Sequence, residues 1–239
     1  MRVLPIAAKE LKSAFNSPIA YIAAVACLVF TSVWLFFLNQ FFSRNEASLR
    51  IYFAVIPTVF IFLVPALTMR SWAEERRTGT LEVLLTLPFR EGELVLGKFL
   101  GVFGLLVLIV VLSLPLPLSL ARLGFFDWGQ VAGEYLGVLF IGASGIAVGL
   151  FVSSLSTNQV TAFILSGIAL LAFTLVNQVN FLVTLPPWLA AAANWISFGH
   201  HYDSFRRGVL DSRDIVFFLL AIAAFLLLNV QVLVRRKWS

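Results

Sequence analysis

The side chains that could perform catalysis are few in this sequence, and they form no recognisable catalytic or metal-binding set. His200 and His201 are the only histidines, and neighbouring residues point about 100° apart on a helix. Asp203 lies close by, but a metal site needs further ligands of the Cys or His type. Cys27 is the only cysteine, so neither a disulfide framework nor a cysteine-bound metal is expected. We interpret the histidines as a solvated pair, assign them no role and predict no metal site.

Nucleotide chemistry is also not expected in this chain. None of the serines lies in a nucleophile elbow of the GxSxG type. The phosphate-binding pattern GxxxxGK[ST] does not occur, and this pattern is what cradles the phosphates of ATP in P-loop proteins. The sequence therefore predicts a non-catalytic protein that holds no cofactor of its own.

The composition predicts an all-α membrane protein. Only 12% of the 239 residues are charged, against about 25% in soluble domains, and the mean hydropathy is +0.97. A membrane-spanning helix needs roughly 20 apolar residues. The windows without Asp, Glu, Lys or Arg are 13–43, 51–69, 99–121, 135–202 and 215–234. We predict six spans, at about 19–38, 51–69, 99–121, 135–153, 159–181 and 215–234.

The predicted spans contain no Asp, Glu, Lys, Arg or His. Ion-coupled carriers keep such residues inside the membrane as relays and ligands, so this absence argues against a secondary transporter and a proton channel. The net charge of +5 favours contact with anionic lipid headgroups over nucleic acid, because no basic stripe interleaved with aromatic residues is present.

The distribution of basic residues predicts the orientation. Eleven lysines and arginines fall in the amino-terminal segment, in residues 70–98 and in the carboxy-terminal tail, and six fall on the other side. Cytoplasmic loops carry an excess of Lys and Arg. We therefore expect both termini and residues 70–98 to lie in the cytoplasm.

Two further regions are expected to lie at the membrane surface. Residues 1–18 contain an amphipathic stretch, with Leu4 and Leu11 on one face and Lys9 and Lys12 on another, which favours an interfacial helix over a frayed polar terminus. Residues 182–214 form the one sizeable external region. Because much of it is apolar, we predict short interfacial or re-entrant helices there.

A glycine-rich face in the fourth span predicts close helix packing. Gly145 and Gly149 form a GxxxG pattern, and Gly142 lies one turn earlier. Small residues allow two helix backbones to approach each other in a membrane. A helix of the same chain is the favoured neighbour, and a second copy of the chain is the alternative.

Residues 70–98, which we call the charged island, hold ten of the 29 formal charges between two apolar segments. The spacing predicts a short helix from Thr80, with Leu81, Leu84, Leu85 and Pro88 on one face and Glu82 opposite. Gly79 would cap its start, and Pro88 would end it. The pattern suits a helix that binds a protein partner as well as a plain interfacial helix, and the residues alone leave both open.

Four stretches of the sequence resemble ABC-2 type transporter permeases, in particular the branch of the gliding-motility and nitrous-oxide-reductase-maturation permeases. They are KELKSAFNSPIAYI near the amino terminus, AEERRTGTLEVLLTLPFREGELVLGKFLG in the charged island, GLFVSSLSTNQVTAF at 149–163 and HYDSFRRGVLDSRDIVFF at 201–218. The glutamate-rich run followed by TGTLE and GK is fairly specific, and the stretches at 149–163 and 201–218 sharpen the assignment to this branch.

The resemblance implies a single transmembrane domain over residues 1–239, with an elbow helix in 1–18 and a coupling segment in 70–98. It implies a bacterial inner-membrane complex of two permease chains, identical or paralogous, with two ABC ATPase subunits that bind the ATP and Mg²⁺. A companion protein with a periplasmic domain often accompanies this branch. The resemblance places the ATPase contacts at Glu74, Glu75, Arg76, Arg77, Thr78, Gly79, Thr80, Leu81, Glu82, Leu84, Leu85, Ser154 and Asn158.

The function expected on these grounds is that of a permease subunit, which couples ATP hydrolysis by a partner to export or to a conformational change across the membrane. The alternative is a mechanotransmission subunit, which drives a periplasmic partner and moves no substrate. The sequence does not identify a substrate.

Overall fold

The computed structural model describes residues 3–44, 48–86, 89–122, 124, 126–178 and 186–237. Within these residues the chain is built from helices, without strands. They are α1 (Val3–Phe15), α2 (Pro18–Val33), α3 (Arg50–Thr68), α4 (Ala73–Arg77), α5 (Thr80–Thr86), α6 (Glu91–Ser113), α7 (Pro115–Leu120), α8 (Trp128–Leu155), α9 (Gln159–Leu175), α10 (Pro187–Ile196), α11 (Phe198–Arg206) and α12 (Ser212–Lys237). A π-helical turn, Trp34–Leu38, extends α2.

Six helices of the described part of the chain are long and apolar enough to cross a membrane, which confirms the predicted number. The stretches are Pro18–Ser43, Arg50–Arg77, Glu91–Leu120, Trp128–Leu155, Gln159–Gln178 and Ser212–Arg236. The end of the predicted fifth span, 179–181, lies outside the described residues. The third and fourth helices begin earlier than predicted, at Glu91 and Trp128, because the predicted spans started after the charged residues Lys98 and Glu134. Asp127 accepts hydrogen bonds from the backbone N–H groups of Gly129 and Gln130.

The helices α3 and α8 are the most deeply buried of the six, whereas α2 and α12 expose most of their surface. The glycine face predicted in the fourth span lies on α8 and packs against the same chain. A Cβ atom on each glycine would meet Phe60 and Leu106 at Gly142, Val64 and Leu170 at Gly145, and Thr68 at Gly149. Close approach of α3 and α8 therefore depends on the small residues of α8.

A proline inside α3 creates a bond that fixes α11. Pro57 has no backbone N–H, so the carbonyl of Phe53 loses its intrahelical partner. The Tyr202 hydroxyl donates a hydrogen bond to this carbonyl oxygen over 3.0 Å. Burial raises the pKa of the Tyr202 phenol well above its usual value, so the hydroxyl keeps the proton that it donates. This bond joins α11 to the first turn of α3.

The region predicted as external, 182–214, contains α10 and α11, and residues 182–185 lie outside the described part. The prediction of a solvated histidine pair is wrong for His201. Its Nδ1 lies 2.6 Å from Asp214 Oδ1, its Nε2 lies 3.2 Å from the carbonyl oxygen of Trp195, and its ring stacks on Phe217. His201 therefore links α11 to α12, whereas His200 is exposed.

The two glycines of the GxxxG pattern provide a matched pair of variants. A Cβ at Gly149 would overlap the side chain of Thr68, whereas a Cβ at Gly145 would lie 3.5 Å from its neighbours, which is ordinary contact. We expect Gly149→Ala to lower the free energy of unfolding by about 1–3 kcal/mol through overpacking, and Gly145→Ala to have a much smaller effect. Melting temperatures of the purified variants in detergent test this, and equal values would contradict the packing described for Gly149.

Candidate functional site

The charged island begins where α3 ends and is folded into two short helices. A turn at residues 69–72 leads into α4, and α5 follows after Gly79. Gly79 has a φ of +72°, in the left-handed region that favours glycine. The prediction that Gly79 caps the start of α5 is therefore wrong, because an N-cap residue adopts extended backbone angles. Gly79 instead forms the turn that ends α4. Pro88, predicted to end α5, lies outside the described residues.

The structure brings the two predicted contact segments together through hydrogen bonds to the end of α8. The backbone N–H groups of Trp72 and Ala73 donate to Ser153 Oγ over 3.2 and 3.3 Å, and Ser153 Oγ donates to the carbonyl oxygen of Met69 over 3.3 Å. Arg76 Nη1 donates to the carbonyl oxygen of Leu155 over 3.1 Å. The start of α4 is thereby attached to the loop that follows α8.

The two residues predicted in that loop differ in exposure. Ser154 is buried, and its hydroxyl donates to the carbonyl oxygen of Phe151. Asn158 caps α9, since its side-chain oxygen accepts a hydrogen bond from the N–H of Val160 over 3.1 Å. Asn158 is exposed and so is accessible to a partner, whereas Ser154 supports the loop from inside.

One exposed part of the island is a polar surface that we call the exposed edge, formed by Arg77, Thr78, Gly79, Thr80 and Glu82. The hydroxyls of Thr78 and Thr80 lie 2.9 Å apart, and both lie within hydrogen-bond distance of the carbonyl oxygen of Glu75. These bonds stiffen the turn. In the described part of the chain neither Arg77 nor Glu82 forms an ion pair, so both charges are available to a partner.

The two leucines of α5 whose side chains the structure describes face the chain's own core. Leu81 is buried, and the partly buried Leu84 packs against the core residues. The side chain of Leu85 lies outside the described residues. Contact of the thirteen predicted residues with an ATPase stays a prediction. Among the predicted island residues whose exposure the structure describes, those of the exposed edge are the exposed ones.

The strongest polar cluster of this end of the molecule surrounds Lys98. Its ammonium group lies 2.7 Å from Glu10 Oε1, 2.8 Å from Glu75 Oε1 and 2.8 Å from the carbonyl oxygen of Ser71. The group also lies 4.7 Å from the centre of the Trp72 ring, where a cation is attracted to the aromatic face. Lys98 is 1% exposed. All three N–H donors of the ammonium group therefore have acceptors.

Sequence reasoning missed this cluster because it placed Lys98 at the solvated end of the island and did not consider Glu10. The four-residue spacing of Gly97 and Gly101 was a signal that another helix packs closely on α6. A Cβ at Gly101 would lie 2.5 Å from the Glu10 Cβ and 3.0 Å from the Ala7 carbonyl oxygen. Since α1 lies directly on these glycines, it packs on α6 instead of lying on the membrane surface alone. Leu4, predicted on the apolar face of α1, is exposed.

A second buried ionisable side chain lies on α8, so the observed spanning helix Trp128–Leu155 contains a carboxyl group that the predicted span 135–153 did not. Glu134 is 0% exposed. Its Oε1 accepts a hydrogen bond from Gln130 Nε2 over 3.0 Å, and Arg50 in turn donates to Gln130 Oε1 over 3.4 Å. The predicted spans omitted Lys98 and Glu134 because each stood one position outside an uncharged window.

Removal of the central cation should release α1. In Lys98→Met, the partly buried carboxylates of Glu10 and Glu75 lose their counter-ion, and breaking a fully buried ion pair costs about 3–5 kcal/mol. We expect a lower melting temperature and faster trypsin cleavage after Lys9 and Lys12 than in the wild-type protein. The triple variant Lys98→Met, Glu10→Gln, Glu75→Gln removes the unpaired charges and should recover much of the protection. Equal cleavage rates in the single and triple variants would contradict an electrostatic role of the cluster.

Comparison with known proteins gives a consistent result. A sequence model described as "ABC-2 family transporter protein" matches residues 10–230. The chain is also similar to a protein of Escherichia coli strain K12 named "Probable multidrug ABC transporter permease YbhR", with 28% identity over 157 residues. The protein of the same name from Escherichia coli O157:H7 matches equally well. The matched region covers 65% of this chain and 41% of each relative, so the chain spans less than half the length of these relatives.

Proposed function

Because the chain belongs to the ABC-2 family of transporter proteins, we propose that it is the permease subunit of an ABC transporter and that its charged island receives the motion of a partner ATPase. The observation that carries this proposal is the attachment of α4 to both central helices. Helix α4 is joined to the end of α3 by one turn, and its start is hydrogen-bonded to the end of α8. Force on the exposed edge would therefore act on the two most buried helices.

The stiffness of this connection supports a mechanical role. Trp72 and Ala73 are buried, and the Lys98 ammonium group holds Glu75 of α4 and Glu10 of α1. A displacement of α4 would thus be shared by α1, α3, α6 and α8 as a rigid-body movement, which is a common mode of conformational switching. The hydrogen bonds of Thr78 and Thr80 stiffen the turn, so the exposed edge would move together with α4 and would not deform on its own.

The proposed complex has two permease chains, identical or paralogous, and two ABC ATPase subunits that bind ATP and Mg²⁺. The excess of basic residues at both termini and in the island supports a cytoplasmic location for all three, in a bacterial inner membrane. The motifs quoted above support the gliding-motility and nitrous-oxide-reductase-maturation branch. The similarity to YbhR supports the export of small molecules as the activity.

Mechanotransmission to a periplasmic companion is the second candidate, and one bond favours it. Tyr202 joins α11 to the backbone of α3, so movement of α3 would reach the far end of the molecule. Reconstitution of the complex in proteoliposomes separates the two functions. ATP-dependent movement of a fluorescent cationic dye without the companion would support export, whereas ATP hydrolysis without any flux of dye or lipid would support mechanotransmission.

Charge reversal on the exposed edge tests the docking proposal. We expect Arg77→Glu combined with Glu82→Lys to reduce co-purification of the ATPase at least tenfold, because oppositely charged partner groups would become repulsive. Both side chains are exposed, so the melting temperature should not change. The tagged chain would be purified from membranes of its own host, and P-loop ATPases would be quantified by mass spectrometry.

The matched control is Lys12→Glu, which reverses an exposed charge on α1 and should leave the ATPase yield unchanged. Glu75 is unsuitable for this test, because its loss would disturb the Lys98 cluster as well as the docking surface. Unchanged ATPase yield and unchanged ATP hydrolysis in the edge variant would overturn the proposed docking site.

A further inference from the structure

A cavity of about 420 Å³ lies between α1, the start of α2, the island and α6. One part of its wall is polar and another part is apolar. Lys9, Ser13, Ser17, Arg70 and Glu74 supply charged and hydroxyl groups, whereas Ile19, Leu67, Val102 and Leu105 supply apolar surface. A cavity that is polar on one side and apolar on the other suits an amphipathic ligand. It lies beside α1, which the sequence predicts at the membrane surface, and this position would bring the cavity to the level where lipid headgroups meet acyl chains.

Two polar atoms of residues that line this cavity have no hydrogen-bond partner in the described part of the chain. Arg70 Nε is a buried donor, and Glu75 Oε2 is a buried acceptor. Glu74 Oε2 lies 3.8 Å from Arg70 Nε, which is an ion pair but too long for a hydrogen bond. A buried polar atom without a partner is destabilising. One ligand that carries both an oxyanion and an N–H group would satisfy both atoms.

The charges of the cavity wall balance. Three cations, Lys9, Arg70 and Lys98, stand against three carboxylates, Glu10, Glu74 and Glu75. Lys98 is fully used by its cluster, and Arg70 Nη1 donates to Ser17 Oγ over 2.8 Å. Lys9 and the Nε–H group of Arg70 are left as donors toward an anion. Glu74, together with the free oxygen of Glu75, remains as the acceptor for a cation. A balanced wall disfavours a purely anionic headgroup and matches one that carries both signs of charge.

We propose that this cavity binds one phospholipid whose headgroup carries a phosphate and a primary ammonium group, as in phosphatidylethanolamine. The phosphate accepts hydrogen bonds from Arg70 and Lys9, and the ammonium group donates to Glu74 and Glu75. One acyl chain lies along Ile19, Val102 and Leu105. On the proposed orientation this lipid comes from the cytoplasmic leaflet. It stabilises the contact between α1 and the island, and its binding does not depend on an ATPase.

Lipid selectivity and two matched pairs of variants test the site. The delipidated chain in detergent would be titrated with dioleoyl phosphatidylethanolamine, phosphatidylglycerol or phosphatidylcholine, and bound lipid would be counted by native mass spectrometry. We expect the first lipid to bind about tenfold more tightly than the other two, because phosphatidylcholine has no N–H group and phosphatidylglycerol has no cation. Lys9→Ala and Glu74→Gln should each weaken its binding about tenfold, whereas Lys12→Ala and Glu82→Gln should not.

Several results would contradict the proposal. Equal binding of the three lipids, preference for phosphatidylglycerol, or equal binding by all variants would overturn the assigned headgroup site. Phosphoethanolamine without acyl chains should not bind at millimolar concentration; binding as tight as that of the lipid would indicate a soluble phosphate ligand instead. The Arg77→Glu, Glu82→Lys variant should bind the lipid normally, so failure of ATPase docking and failure of this site are distinguishable.

Discussion

The Lys98 ammonium group, held between Glu10 and Glu75, links three parts of the chain through one buried cluster of ion pairs. Glu10 belongs to α1, Glu75 to the island and Lys98 to α6. A buried cation is tolerated only where every N–H has an acceptor, and the Ser71 carbonyl supplies the third. The close contact of α1 with α6 at Gly101 is required for Glu10 to reach the cation. The ion pair between Glu10 and Lys98 and the close packing of α1 on α6 therefore depend on each other.

From this cluster the connections run through the whole length of α3. At the island end, Ser153 binds the backbone on both sides of the turn that leads into α4. Toward the other end, the carbonyl of Phe53 freed by Pro57 is bound by Tyr202. The helix is thus held at both ends by neighbours, with its prolines between the two attachments. A helix held in this way transmits displacement along its axis and bends where its hydrogen-bond ladder is interrupted.

The sequence predicted what depends on local composition, and it failed where distant residues meet. The six spans followed from uncharged windows, and the glycine face of α8 followed from helical spacing. The partners of Lys98 are 88 and 23 residues away, and no periodicity connects them. The same spacing of Leu81 and Leu84 suits burial in the chain or contact with a partner, so the pattern could not decide between them. Only the family resemblance related the island to the loop after α8, because it assigned ATPase contacts to both.

The burial of Leu81 also changes what kind of contact the island can make. An apolar face presented to a partner would favour a long-lived contact, whereas the exposed edge offers charges and hydroxyls. Exposed ion pairs contribute roughly 0–1 kcal/mol each, and they affect orientation and association rate more than affinity. In the proposed complex, a contact of this kind would tilt and re-form during a cycle of ATP hydrolysis by the partner. The stronger contacts, around Trp72 and Lys98, are buried inside the chain. Force applied at the exposed edge would therefore move the helix bundle as a unit before it separated the island from the bundle.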